Sequence, residues 1–81
     1  MAARELARVV RQLVDQPEQV AVRELERGRL HVLEVTVADE DMGSVIGRHG
    51  RTAQALRSLL RARGDVAGVS YDLKIRGQGE A

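Results

Sequence analysis

Val45-Ile46-Gly47-Arg48-His49-Gly50-Arg51 ends a short apolar segment and opens an amphipathic helix. Two glycines separated by two residues let a backbone turn tightly and approach a ligand closely, because neither carries a Cβ. The residues between them are cationic or nearly so. The helix that follows aims its unpaired N–H groups and the positive end of its dipole back at the loop. A turn built in this way suits a phosphate-bearing ligand.

Downstream of the loop, Ala53, Leu56, Leu59 and Leu60 form the inner side of a helix expected from about Arg51 to Ala62, with Gly64 as its C-cap. After Gly64–Gly68, Val69, Tyr71, Leu73 and Ile75 alternate strictly with Ser70, Asp72, Lys74 and Arg76, a strand pattern. Upstream, a short helix from about Glu40 to Ile46 stops at Gly47. The acids Asp39, Glu40 and Asp41 at its start fit capping and the helix dipole. Leu33, Val35 and Val37 put one apolar face on a strand whose other face carries Glu34 and Thr36. Arg27-Gly28-Arg29 is a turn, and Val20, Val22 and Leu25 suggest the strand before it. Leu6, Val9, Val10, Leu13 and Val14 recur at helical spacing, so a first helix is expected from about Ala3 to Asp15, ended by Pro17.

The order is therefore α-β-β-α-α-β. The two early strands read as an antiparallel hairpin. The helical crossover can return the last strand parallel to one of them. The fold class is α+β: a three-stranded mixed sheet covered on one face by three helices, which buries every apolar stripe named above. Glu34, Thr36, Ser70, Asp72, Lys74 and Arg76 share the other face.

Eighty-one residues make one small domain with no room for a second core. With no cysteine, disulfides and thiolate metal sites are excluded. The two histidines, His31 and His49, stand apart in sequence, so neither a metal nor another cofactor is expected. No apolar run approaches the ~18 residues of a membrane span, and the charged N-terminus is unlike a secretory leader. A cytoplasmic protein is expected, without membrane contact. The net charge of +1 conceals an uneven distribution. From Met42 to Gly64 there are five arginines, Arg48, Arg51, Arg57, Arg61 and Arg63, and no acid. That span either solvates a helix face or presents a positive surface to an anionic partner.

Valine-isoleucine-glycine-x-x-glycine between two helices, followed by a strand, resembles the signature of a KH domain, whose minimal unit here would run from about Leu30 to Arg76. The extra helix and strand before it resemble the type II arrangement. With "LEVTVA" leading into "DMGSVIGRHGRTAQALRSLL", nearly the whole chain is similar to the small bacterial RNA-binding KhpA (YlqC) family. The resemblance implies a single type II KH domain over residues 1–76 with single-stranded RNA as partner; the small, polar residues 77–81 are expected to form a flexible tail. Such loops clamp about four nucleotides. It also implies self-pairing, pairing with a larger KH-containing protein of the KhpB (Jag) type, or both. A role as RNA chaperone or post-transcriptional regulator follows.

The residues expected to touch RNA are Val45, Ile46, Gly47, Arg48, His49, Gly50 and Arg51. Gly47 and Gly50 would admit the backbone, Arg48 and Arg51 would contact phosphate, and His49 would donate a hydrogen bond. Ile46 is expected in the core and Val45 nearer the groove. Family members often have Lys and Gln where this chain has Arg48 and His49, and both replacements keep a phosphate-compatible donor. The chain has no Trp or Phe, and Tyr71 fits an inward position, so bases have no aromatic platform to stack on. Weak, salt-sensitive binding strengthened by avidity is expected. An enzyme is not: no nucleophile–base pair is recognisable, and G-x-x-G lacks the Lys-Ser/Thr ending of a P-loop. No small-molecule substrate is expected. A protein-docking adaptor with incidental RNA contact is the alternative.

Overall fold

A computed structural model describes residues 2–79. Its elements are α1 (Ala2–Leu13), β1 (Ala21–Arg27), β2 (Leu30–Val37), α2 (Met42–Ile46), α3 (Arg51–Ala67) and β3 (Ser70–Gly77). Single 3₁₀ turns at Pro17–Gln19, Asp39–Asp41 and Arg48–Gly50 join them. β1 and β2 are antiparallel and pair Arg27 with Leu30, so Gly28 and Arg29 form the turn, with Gly28 at φ +59°. β3 runs parallel to β2, with Leu33 beside Leu73, and the strand order is β1-β2-β3. A parallel pair needs a long crossover, which α2 and α3 supply. The α-β-β-α-α-β order and the mixed sheet expected from the sequence are both present.

Leu33, Val35, Val37 and Leu73 lie on one face of the sheet and are buried. Leu6 and Val10 of α1, Val45 of α2, and Leu56 and Leu60 of α3 pack against them. Each such side chain contributes about 1.5–3 kcal/mol by leaving water. The open face carries Arg23, Glu34, Lys74 and Arg76, but the register also puts Leu25 opposite Val32 there, and Leu25 and Leu30 are exposed.

Two helix ends differ from expectation, each for a reason visible in the structure. α1 stops at Leu13 rather than Asp15, because Asp15 N and Gln16 N donate to the Asp41 carboxylate at 3.1 and 3.0 Å. Asp41 is only 2% exposed and makes no side-chain cap to its own helix, so it ties two helices together instead of capping one. α3 continues to Ala67, where Gly68, at φ +75°, donates its N–H to the Gly64 carbonyl. Gly64 is therefore not the cap. It is buried against β3, and a Cβ on it would stand 2.5 Å from the Val69 carbonyl oxygen. Leu59, expected on the inner side, is 45% exposed, one position off the buried stripe of Ala53, Leu56, Leu60 and Gly64. At the C-terminus, β3 includes Gly77, and Gln78 N donates to the Val37 carbonyl at 2.9 Å. Of the expected 77–81 tail, residues 80 and 81 lie outside the described residues.

Candidate nucleic-acid interface

The loop between α2 and α3 is shaped by three left-handed residues. Gly47 has φ +78°, His49 φ +56° and Gly50 φ +72°. Gly47 N–H donates to the Gly43 carbonyl at 2.8 Å and Gly50 N–H to Gly47 at 3.0 Å, so the turn is internally bonded. A Cβ on Gly47 would collide with Thr52, whereas one on Gly50 would meet nothing within 4 Å. Gly47 is thus held by packing, and Gly50 presents bare backbone outward. As N-cap of α3, Gly50 offers no side-chain acceptor to the helix's first N–H groups. His49 tolerates its backbone better than most side chains would, being among the few non-glycine types enriched in this region.

Beside the loop lies an open groove of about 500 Å³. His49, Gly50 and Arg51 form its loop end, Gln54 and Arg57 of α3 one wall, and Ile46, Ala53 and Ile75 its apolar floor. Four of the seven residues expected from the sequence therefore meet here: Ile46, His49, Gly50 and Arg51. Arg48 is exposed on the loop without lining the groove, and Gly47 sets the turn behind it. Val45 and Ile46 exchange the places expected of them. Val45 is fully buried in the core, while Ile46 is 39% exposed on the groove floor.

Gln54 and Arg57 were not singled out by sequence. Their spacing from Arg51, three and six residues along a helix, puts all three on one side and was the available signal. Arg57 Nη2 donates to the Leu73 carbonyl on β3 at 3.4 Å, which fixes it over the groove. Arg63 faces elsewhere: both its terminal nitrogens reach the Glu5 carboxylate of α1, one at 2.9 Å. Among the described residues, the side chains of Arg48, His49 and Arg51 make no ion pair or hydrogen bond. Three cationic or cation-forming groups thus stand uncompensated around bare backbone and an apolar floor. Such a site can bind an anion flanked by flat, weakly polar groups.

His31 is less isolated than its sequence position suggested. The hairpin register brings Glu24 Oε2 to 2.6 Å from its Nδ1, and Tyr71 packs edge-on at 5.5 Å. Glu24, Glu26 and His31 offer possible metal-ligand atoms within 4.8 Å of one another. The close His31–Glu24 contact is an ion-pair geometry and already occupies Nδ1. No helix among the described residues is long and apolar enough to cross a membrane.

Residues 3–75 match the family model described as the KhpA/KhpB KH domain. The RNA-binding protein KhpA of Streptomyces coelicolor (strain ATCC BAA-471 / A3(2) / M145) is 53% identical over 70 residues, spanning 84% of this chain and 85% of that one. Its counterpart in Treponema pallidum (strain Nichols) is 44% identical over 70 residues, spanning 86% and 88%. Among solved structures, Era in complex with MgGDPNP and nucleotides 1506–1542 of 16S ribosomal RNA superposes with a TM-score of 0.62 at 17% identity. That match takes in 94% of this chain and 29% of the Era chain, and it concerns the fold alone.

Proposed function

The chain belongs to the KhpA/KhpB KH-domain family, and from that premise we propose that it binds single-stranded RNA by clamping the backbone at Gly47–Gly50. The observation that carries this reading is the set of unpartnered side chains Arg48, His49 and Arg51 around Gly50, where a Cβ would point into open space. Phosphate would meet Arg48, whose fork matches its oxygens, together with Arg51 and the first N–H groups of α3. Bases would lie on Ile46 and Ile75, with Gln54 and Arg57 supplying polar contacts. Val45 supports the loop from the core. The relatives' names, RNA-binding protein KhpA, support RNA binding in general.

The floor is aliphatic, so each base gains less than the ~1–3 kcal/mol of an aromatic stack. One copy binds weakly, and avidity restores useful affinity. The exposed apolar side chains of Val9, Leu13 and Leu59 on α1 and α3 favour pairing, with a second copy or with a KhpB-type protein. A cytoplasmic RNA chaperone or post-transcriptional regulator without catalytic activity fits these properties.

The test is binding to short single-stranded RNA across a salt series, for the wild type and for an Arg48→Asp/His49→Asp variant shown by circular dichroism to be folded. Binding should weaken with a slope of roughly −0.7 per phosphate contact in log–log form, and the variant should abolish it. Equal binding by both proteins rejects the clamp.

A further inference from the structure

The groove beside the loop does not end at Arg57. The same residue borders a second concavity of about 420 Å³ shared by Glu34, Leu73, Lys74, Ile75 and Arg76. The two meet at β3, an edge strand, and Arg57 is anchored at the meeting point through the Leu73 carbonyl. Strand alternation turns Ile75 toward the groove floor and Lys74 and Arg76 toward the open face. A cationic path therefore leads from the loop, past Arg57, over the edge of the sheet.

The acids along this path are accounted for. Glu34 Oε1 lies 3.8 Å from Arg76 Nη1 and 4.0 Å from Arg23 Nε, so two cations share its charge. Asp72 Oδ1 accepts the Leu73 N–H at 2.9 Å. Lys74 is exposed and, among the described residues, has no ion-pair partner. Arg57 uses one of its five N–H donors on Leu73 and keeps the others for a ligand.

We infer that single-stranded RNA held at the loop continues past Arg57 and over the β3 edge, where the Lys74 ammonium takes a further phosphate. The inference rests on the loop being the clamp and lengthens its footprint beyond about four nucleotides. Lysine suits the outer position: it acts as a point charge on a flexible stem, tolerant of where the strand lands.

The test is an NMR titration of the full ¹⁵N-labelled chain with oligouridine of about four and about eight nucleotides, for the wild type and for Lys74→Gln and Lys74→Glu. The shorter RNA should move amide signals around the loop and the start of α3. The longer one should also move those of Glu34 and Asp72 to Arg76. Lys74→Gln should weaken the longer RNA about fivefold at low salt, the value of one ion pair in water, and leave the shorter unchanged. Lys74→Glu should weaken the longer RNA further. Shifts confined to the loop with both RNAs, or Lys74 variants that weaken both lengths equally, overturn the extension and leave the clamp standing. If neither RNA moves the loop signals, the clamp fails and the extension fails with it.

Discussion

A Cβ on Gly47 would collide with Thr52 Oγ1 and lie 2.8 Å from Thr52 N, closer than atoms can stand. Gly50 has a similar left-handed φ and open space around it. The two glycines of the loop are thus needed for different reasons. Gly50→Ala should cost only the left-handed backbone, about 1–2 kcal/mol. Gly47→Ala adds a collision with backbone and should cost about 2–4 kcal/mol. At ~4–8 °C per kcal/mol for a domain of this size, thermal denaturation separates them easily. Equal melting temperatures would mean that Thr52 gives way.

Gly64 reverses a common rule. Glycine inside a helix normally weakens it, and alanine there restores about 0.5–1 kcal/mol. At this position the added methyl would stand 2.5 Å from the Val69 carbonyl oxygen. Overpacking of that kind costs about 1–3 kcal/mol, which exceeds the propensity gain. Gly64→Ala should lower the urea midpoint. A raised midpoint would show that α3 can move away from β3 without penalty.

Asp41 should matter more for stability than its place in an acidic run suggests. Its carboxylate accepts two backbone N–H groups from the end of α1 while nearly fully buried. Asp41→Ala leaves both donors without that acceptor and should cost about 2–6 kcal/mol, with each orphaned group worth roughly 1–3. Exposed Asp39→Ala should cost less. Comparable losses in chemical denaturation would deny Asp41 its tethering role.

What could be read from the sequence follows the range of the interaction involved. The alternation of Tyr71, Leu73 and Ile75, and of Leu33, Val35 and Val37, is a one-strand property, and both strands lie where that pattern puts them. So does the G-x-x-G loop, because its glycines answer to local φ. The failures needed a partner from elsewhere in the chain. Asp41 looks like a cap until Asp15 and Gln16 arrive from 26 and 25 residues away. Gly64 looks like a helix end until Val69 closes over it. Val45 and Ile46 are adjacent and equally apolar. A helix of only five residues, Met42–Ile46, has too little periodicity to say which faces inward. Arg57 was one arginine among five until Leu73 fixed it at the groove.

Pairing of two copies would use the face where α1 meets α3. Leu59, Val9 and Leu13 are 45%, 36% and 39% exposed, and the Glu5–Arg63 ion pair sits beside a small apolar concavity of about 110 Å³. Leu59→Glu should abolish self-association in sedimentation velocity over a concentration series. Because Leu59 is already half in water, the monomer should lose no more than about 1 kcal/mol. A wild-type chain that stays monomeric at the highest concentration would remove self-pairing on this face.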